Sequence, residues 1–418
     1  MANAFPPGFL WGSATAAHQT EGNNLNTDWW AREAMMPGMD SSGDACDSYH
    51  RYRQDMRLLA DAGLDTYRFS IEWARIEPRA GQVSRALLAH YRRMIDTALG
   101  LGLTPVVTLL HSTIPLWLAE RGGWQAKDAV ERFAAYVAIA AEILDDVPYV
   151  ITINEPNMMA MMAAAIEAAR AGGQWRSATM TEQAEATKEQ LREAVRNLPT
   201  PKAEHGQVFI RAHHAARTVL RERIPQAKIG WTIANPALTA APEHEAKLRE
   251  VRYGMEDVYL EAAAGDDFIG VQAYSSQAVD ADGLVPHPPH PDNTLTGAAY
   301  RPDALGIAVR HTWAMTGLPI LVTENGIATA DDTRRIAYTS EALGHLVAAM
   351  RDGVDVRGYL HWSLLDNFEW GHWEPTFGLI AVDRQTFVRT PKPSLAWLGE
   401  VARSSGERLG LPPGGCLA

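Results

Sequence analysis

The sequence of 418 residues is poor in cysteine and lacks any long run of apolar residues. Its two cysteines, Cys46 and Cys416, form neither a disulfide framework nor a pattern of metal ligands. We interpret both as incidental thiols of a reducing compartment. The N-terminal residues show no secretory signal, and the uncharged stretch 158–166 is too short to cross a bilayer. We therefore expect a cytoplasmic protein that does not bind membranes.

Positive charge is also scarce, because 50 acidic side chains face 38 basic ones and the formal net charge is −12. An acidic protein repels phosphate backbones and anionic lipid surfaces. We therefore expect a small molecule as partner, and neither nucleic acid nor a membrane. Apolar residues make up 46% of the chain, enough for a large core. The composition leaves the oligomeric state open.

Short apolar segments alternate with longer segments of helical periodicity along the chain. The predicted strands are residues 9–17, 66–71, 104–110, 149–154, 228–233, 268–274, 319–324 and 356–363. Most of them are continuously apolar, which is typical of parallel strands that are buried on both faces. The predicted helices between them include residues 47–63, 84–100, 128–144, 207–223 and 333–351.

This alternation predicts an α/β fold of the (β/α)8 barrel type, also called a TIM barrel. A doubly wound open sheet is the rival, but the glycine-rich phosphate loop expected after its first strand is missing. We see no linker or repeat, so we predict one domain over residues 1–418. A bare barrel needs ~250 residues, and the surplus falls in loops. Residues 170–204 and 279–301 are either surface decoration or walls of a pocket.

Two glutamates directly follow or end predicted strands on different sides of the barrel, Glu155 after the fourth strand and Glu324 in the seventh. Active sites of such barrels form at the carboxyl ends of the strands. One carboxylate there is commonly a salt bridge. Two can cleave a glycoside, since one protonates the leaving oxygen and the other attacks the anomeric carbon or activates water. The distance between them decides between retention and inversion of configuration, and these residues alone leave that choice open.

Seven motifs run in order along nearly the whole chain: FLWGSATAAHQTEG (9–22), GDACDSYHRY (43–52), YRFSIEWARI (67–76), TINEP (152–156), VTENG (322–326), WSLLDNFEW (362–370) and RTPKPS (389–394). In these motifs the sequence resembles family 1 of the glycoside hydrolases, the β-glucosidase family. The resemblance implies a (β/α)8 barrel and a retaining double displacement through a covalent glycosyl-enzyme. We expect neither a cofactor nor a metal.

The resemblance implies roles for four residues near the bond that is cleaved. Glu324 matches the nucleophile and Glu155 the acid/base, while Arg68 should keep Glu324 ionised and Tyr274 should hydrogen-bond it. An acid must hold its proton near neutral pH, so Glu155 needs a raised pKa. Once Glu324 is esterified its charge is gone, and Glu155 can ionise and act as base.

Other matching positions imply contacts with the sugar, namely Gln19, His111, Asn154, Trp362, Glu369 and Trp370. Asn154 would bind the hydroxyl next to the anomeric carbon, and the two tryptophans would flank the apolar sugar face. Family members that act on 6-phosphorylated sugars carry serine in place of Glu369. A carboxylate repels phosphate, so we expect an unphosphorylated glycone.

The chain departs from the family pattern at three places around the pocket. Ser112 follows the third-strand histidine where tryptophan is usual, Gln272 replaces an asparagine, and Ala298 stands where an aglycone-side tryptophan is expected. These changes predict a wider or reshaped pocket. They leave open glucose against galactose, fucose or xylose, and also the natural aglycone.

The first hypothesis is hydrolysis of unphosphorylated β-glucosides that carry small, aryl or plant-type aglycones. A β-glycosidase of another glycone preference, such as a galactosidase or fucosidase, is an alternative. A transglycosidase would share every catalytic residue and differ only in whether an alcohol replaces water. A non-catalytic sugar-binding barrel is a further alternative, and the retained Glu155, Glu324, Arg68 and Tyr274 speak against it.

Overall fold

The computed structural model describes residues 4–35, 38–171 and 201–409. Eight strands form its centre: β1 Leu10–Ala14, β2 Thr66–Ser70, β3 Thr104–Thr108, β4 Tyr149–Asn154, β5 Lys228–Ala234, β6 Ile269–Gln272, β7 Ile320–Asn325 and β8 Val356–Trp362. Every neighbouring pair is parallel, and pairing of β1 with both β2 and β8 closes the barrel. The predicted (β/α)8 fold is confirmed.

Helices alternate with the strands and cover the outside of the barrel. The α-helices are Ala17–Thr20, Asp28–Glu33, Ser48–Asp61, Trp73–Ile76, Arg85–Gly100, Leu116–Ala119, Ala129–Ala140, Pro156–Ala171, Ala203–Arg223, Glu245–Arg252, Val258–Ala262, Ala304–Thr316, Asp332–Arg351 and Pro393–Arg403. Short 3-10 turns are Gly123–Gln125, Ala141–Ile143, Pro242–His244 and Glu407–Leu409, and Tyr253–Asp257 is a π-turn. Two small sheets pair Thr239–Ala240 with Ala278–Val279 and Ile380–Val382 with Arg389–Pro391.

The barrel interior is filled by an apolar layer that supports the polar residues at its mouth. Val106, Ile151, Phe268, Leu321 and Leu360 pack against one another although they come from, or directly precede, five different strands. Strand residues alternate between the two faces, so the neighbouring apolar side chains face the helices instead. This double burial explains why the strands are continuously apolar in the sequence.

The observed bounds differ from the predicted ones where the chain leaves the barrel. The first strand, predicted to end at residue 17, ends at Ala14, because the chain turns into the helix Ala17–Thr20. The sixth strand ends at Gln272 and not at residue 274. The helix predicted from residue 207 begins at Ala203. Apolar pattern alone does not mark these ends, since the turns that follow are apolar too.

Of the two predicted long loops, residues 279–301 are described. This loop is tied to the barrel mouth, because Ser275 donates to the carbonyl of Ala299 at 2.9 Å and the amide of Leu295 donates to Ala328 at 3.0 Å. It therefore lies against the ends of β6 and β7. The other loop, 170–204, falls mostly outside the described residues. No helix in the described part of the chain has the length and apolar character needed to cross a membrane.

A close contact between helices gives a stability prediction. A Cβ on Gly399 would lie 1.8 Å from the carbonyl oxygen of Ala62, whereas a Cβ on Gly100 would have no neighbour within 4 Å. Gly399→Ala should therefore lower the free energy of unfolding by ~1–3 kcal/mol through overpacking. Gly100→Ala, the matched control, should raise it by up to ~1 kcal/mol. Calorimetric melting temperatures measure both, and equal melting temperatures for the two variants would contradict the close approach.

Candidate functional site

Two carboxyl groups share the mouth of the barrel. Glu155 directly follows β4, and Glu324 is the next-to-last residue of β7. The charge of Glu324 raises the pKa of Glu155, so the two carboxyl groups are electrostatic neighbours. Glu155 has a φ of 47°, in the left-handed region, and its amide donates to the carbonyl of Thr232 at 2.9 Å. Such a costly backbone conformation is concentrated at functional sites.

Arg68 is fully buried inside the barrel and joins three strands. Its Nη1 donates to Glu324 Oε1 at 2.6 Å and its Nη2 to Asn154 Oδ1 at 2.5 Å. Its Nε donates to Thr108 Oγ1 at 3.1 Å. A buried charge is stable only when it is paired and its remaining donors are satisfied, and these contacts meet both conditions.

Tyr274 holds the second oxygen of the Glu324 carboxyl group. Its hydroxyl donates to Glu324 Oε2 at 2.6 Å, and its own carbonyl accepts from the hydroxyl of Tyr338 at 2.6 Å. Each oxygen of Glu324 therefore has a donor, Arg68 on one side and Tyr274 on the other. Both donors favour the ionised form of the carboxyl group.

The surroundings give the carboxyl groups of Glu324 and Glu155 different pKa values. Burial raises the pKa of Glu324, and Arg68 and Tyr274 oppose that rise. Burial and then the charge of Glu324 raise the pKa of Glu155 to about 8, opposed only by Arg68. Glu324 is therefore the group that ionises first, and Glu155 is the one that keeps a proton near neutral pH.

Glu369 forms the other end of the polar cluster. Trp362 Nε1 donates to Glu369 Oε1 at 3.0 Å and Gln19 Nε2 donates to Glu369 Oε2 at 3.2 Å. Gln19 Nε2 also contacts the carbonyl of Phe368 at 2.9 Å. Burial raises the pKa of Glu369 to about 8 despite these donors. Hydroxyl groups of a ligand can add the donors that this carboxyl group lacks.

Aromatic rings lie between Glu369 and the pair Glu155 and Glu324. The ring of His111 lies 5.9 Å from that of Trp362 and 6.0 Å from that of Trp370, with interplanar angles of 16° and 12°. Burial and the charge of Arg68 lower the pKa of His111 well below its usual value. His111 is therefore neutral and can offer one donor and one acceptor.

Three buried polar atoms of this cluster have no hydrogen-bond partner among the described residues: Gln19 Oε1, His111 Nδ1 and Gln272 Oε1. Buried polar groups are almost always paired, and an unpaired one is costly. A polyhydroxylated ligand supplies donors and acceptors for such atoms. The structure thus brings together all ten residues that the sequence pointed to, in a site suited to a sugar.

Two residues of the site were missed by reasoning from the sequence. Thr108 Oγ1 accepts a hydrogen bond from Arg68, and Thr232 Oγ1 donates one to Asn154 Oδ1 at 3.0 Å. A threonine in an apolar strand looks like an ordinary strand residue, so no local pattern marks it. Gln272 was noticed only as a departure, yet its Nε2 donates to the same Asn154 oxygen at 2.8 Å.

One cluster outside this site has the spacing of metal ligands among the residues that the structure describes. Glu256, Asp257 and His311 place ligand atoms within 4.8 Å of one another. His311 already bonds Asp257 at 2.7 Å, and Asn235 bonds Glu256 at 2.5 Å. These contacts account for the side chains as a partly buried polar network, and we assign no metal to them.

The family model described as Glycosyl hydrolase family 1 matches residues 1–265 and 263–407. This chain belongs to glycosyl hydrolase family 1. It is 34% identical to thermostable β-glucosidase B of Thermobispora bispora, over 97% of this chain and 92% of the relative. It is 31% identical to β-glucosidase A of Thermotoga maritima, over 96% of this chain and 98% of that protein. The family 1 chain is accordingly a glycoside hydrolase.

Solved structures agree with this membership. The crystal structure of β-glycosidase BGL167 has a TM-score of 0.84 and 42% identity to this chain, covering 96% of it and 97% of the other chain. A β-glycosidase from Pyrococcus horikoshii has a TM-score of 0.83 and 30% identity, covering 99% of both chains. The family 1 barrel is therefore shared over nearly the whole length of these proteins.

The hydrogen bond from Tyr274 gives a prediction about pH. Tyr274→Phe removes a donor to Glu324, so the pKa of Glu324 should rise and the acidic limb of the kcat/KM profile should move to higher pH. The expected loss of kcat/KM on a nitrophenyl β-glucoside is about 10- to 100-fold, as for a hydrogen bond to a charged group. Tyr253→Phe, which removes a hydroxyl that bonds an exposed glutamate, is the control. If the acidic limb of Tyr274→Phe stayed at the wild-type pH, the hydrogen bond from Tyr274 would not be what lowers the pKa of Glu324.

Proposed function

We propose that this family 1 glycoside hydrolase is a retaining β-glucosidase that acts on unphosphorylated β-glucosides, with Glu324 as nucleophile and Glu155 as acid/base. The observation that carries the proposal is the unequal surroundings of the two buried carboxyl groups. Glu324 receives Arg68 at 2.6 Å and Tyr274 at 2.6 Å. No side chain in the described part of the chain donates a hydrogen bond to the Glu155 carboxyl group, whose pKa is raised to about 8.

The first displacement uses this difference. The ionised Glu324 attacks the anomeric carbon while the bond from that carbon to the leaving oxygen breaks. Glu155 gives its proton to the leaving oxygen, so the aglycone departs as a neutral alcohol. The products of this step are the free aglycone, a glycosyl ester on Glu324 and an ionised Glu155.

The second displacement follows from the loss of charge on Glu324. An ester carries no negative charge, so the main electrostatic contribution that raised the pKa of Glu155 is gone. Ionised Glu155 can then take a proton from water, whose oxygen attacks the anomeric carbon and displaces Glu324. Two displacements on the same carbon restore the original configuration, and both carboxyl groups return to their starting state.

Glu369 and the relatives indicate which sugar the site binds as the glycone. The buried carboxyl group of Glu369 already accepts hydrogen bonds from Gln19 and Trp362 and can exchange further hydrogen bonds with neutral hydroxyls. A phosphate needs cations or several donors, which a carboxyl group does not supply. A solved structure of a β-glucosidase from Thermotoga maritima, which is 28% identical over the structural alignment with a TM-score of 0.82, contains glucoimidazole. These points support an unphosphorylated glucoside as the substrate, and the small-molecule glycoside as the partner.

Met158 indicates which kind of aglycone the site accepts. It lies in the first turn of the helix that follows Glu155, and its side chain is 37% exposed. Exposed apolar surface beside the acid/base favours an aryl or other apolar leaving group. We also propose the cytoplasm as compartment, which the buried free thiol of Cys46 supports.

Replacement of the nucleophile tests the proposal directly. Glu324→Ala should lower turnover of a nitrophenyl β-glucoside by about 10⁴-fold or more. Added azide should then displace nitrophenolate in a single step and give the α-glucosyl azide, because one displacement inverts the anomeric carbon. Glu222→Ala, an exposed glutamate at the end of the helix Ala203–Arg223, is the control. Undiminished turnover by Glu324→Ala would end the assignment.

Replacement of the acid/base should leave a different signature. Glu155→Ala should still release nitrophenolate, which needs no proton, but should cleave alkyl glucosides poorly. Azide should now give the β-glucosyl azide by attacking the glycosyl ester. Glu155 acts in its protonated form, so wild-type kcat/KM should fall as pH rises through about 8, and this limb should vanish in the variant. An α-glucosyl azide from Glu155→Ala would reverse the two roles.

A further inference from the structure

We propose that Gln272 is a further specificity-determining residue, which accepts a hydrogen bond from the sugar hydroxyl next to the anomeric carbon. This inference rests on the proposed function and adds a contact to it. It starts from a buried amide oxygen, Gln272 Oε1, that has no partner among the described residues. The side chain is 1% exposed, so bulk water does not compensate for the missing contact.

The orientation of the neighbouring amide is decided by charge. The guanidinium of Arg68 can only donate, so the atom of Asn154 that lies 2.5 Å from it must be the oxygen Oδ1. Thr232 donates to the same oxygen at 3.0 Å. The amide nitrogen of Asn154 therefore points the other way, where its nearest protein partner is His111 Nε2 at 3.4 Å. Asn154 thus presents a donor to the ligand.

The orientation of Gln272 follows from that of Asn154. The atom of Gln272 that lies 2.8 Å from Asn154 Oδ1 faces an acceptor, so it must be the donor Nε2. The oxygen Oε1 is then the other end of the same amide. The main chain of Gln272 is fully paired with Asn235, at 3.0 Å through its amide and 2.6 Å through its carbonyl. Only the acceptor Oε1 remains for a ligand.

The position of Gln272 places this acceptor beside the reacting carbon. Gln272 is the last residue of β6, and its partner across the sheet in β7 is Glu324, the proposed nucleophile. Its amide reaches from there to Asn154, the residue before Glu155. The acceptor therefore lies between the two strands that carry the catalytic carboxyl groups.

One hydroxyl group fits both amides. A hydroxyl can accept a hydrogen bond and donate another at the same time. The hydroxyl next to the anomeric carbon would accept from Asn154 Nδ2 and donate to Gln272 Oε1. Contacts to this hydroxyl strengthen as positive charge develops on the sugar ring in the transition state. A glycoside that lacks the hydroxyl would leave both amides unpaired, and such a site rejects the deoxy analogue strongly.

The experiment compares two substrates in each of two enzymes. The substrates are a nitrophenyl β-glucoside and its 2-deoxy counterpart, and the variant is Gln272→Met, which keeps the length but has neither donor nor acceptor. We expect the ratio of the two kcat/KM values to fall by about tenfold or more in Gln272→Met. A purely structural role would slow both substrates equally, and an unchanged ratio in a folded variant overturns the inference.

A second variant covers the case in which Gln272→Met does not fold. In Gln272→Glu, the protonated acid can donate to Asn154 and still accept from the sugar. The ionised form cannot donate, and repulsion between its oxygen and Asn154 Oδ1 should move the side chain out of reach of the sugar hydroxyl. The preference for the glucoside over its 2-deoxy counterpart should therefore approach the wild-type value at low pH and decline at high pH. The wild-type ratio should stay constant with pH. A pH-independent ratio in Gln272→Glu equal to that of wild type would contradict the contact.

Two controls separate the possible failures. Gln226→Met, at an exposed glutamine, should leave both the rates and their ratio unchanged. If the wild-type enzyme does not turn over the β-glucoside, the proposed function fails and this inference falls with it. If the wild type is active and the ratio is insensitive to Gln272, only the role of Gln272 is wrong.

Discussion

The buried ion pair between Arg68 and Glu324 is the interaction on which the rest of the site depends. Arg68 is fully buried, and it lies 2.6 Å from Glu324. A buried guanidinium without a carboxylate partner would be strongly destabilising, so each of these charges requires the other. The pair keeps one carboxyl group ionised, and that charge raises the pKa of its neighbour Glu155. Arg68, together with the hydroxyl of Tyr274, thus distinguishes the proposed nucleophile Glu324 from the proposed acid/base Glu155.

The barrel makes this arrangement possible by bringing distant strands to one edge. Arg68 comes from β2, Asn154 from β4, Gln272 from β6 and Glu324 from β7. All eight strands are parallel and the sheet is closed, so their carboxyl ends surround one opening. The apolar layer beneath, which includes Val106 and Leu321, excludes water from the floor of the site. Electrostatic contacts act more strongly in such surroundings than in water.

Asn154 links the proposed sugar-binding residues to the proposed catalytic carboxyl groups. Its oxygen accepts hydrogen bonds from Arg68, Thr232 and Gln272, so its nitrogen faces the other way, toward His111. Gln272, which departs from the family pattern, is therefore part of this hydrogen-bond network. Such a replacement alters which hydroxyl contacts the site can make, while the two carboxyl groups keep their surroundings.

The order of strands and helices, the barrel and the two glutamates could all be predicted from the sequence, because buried parallel strands are continuously apolar and the motifs end them. Loop and strand ends, such as that of β1 at Ala14, could not, since apolar residues continue into the next turn. The roles of Thr108 and Thr232 in the site could not be predicted either, because threonine is common in any strand. Which carboxyl group holds the proton was decided only by the tertiary structure. That choice depends on Arg68 reaching Glu324 across 256 residues of chain, and pKa values follow distance and burial, not sequence separation.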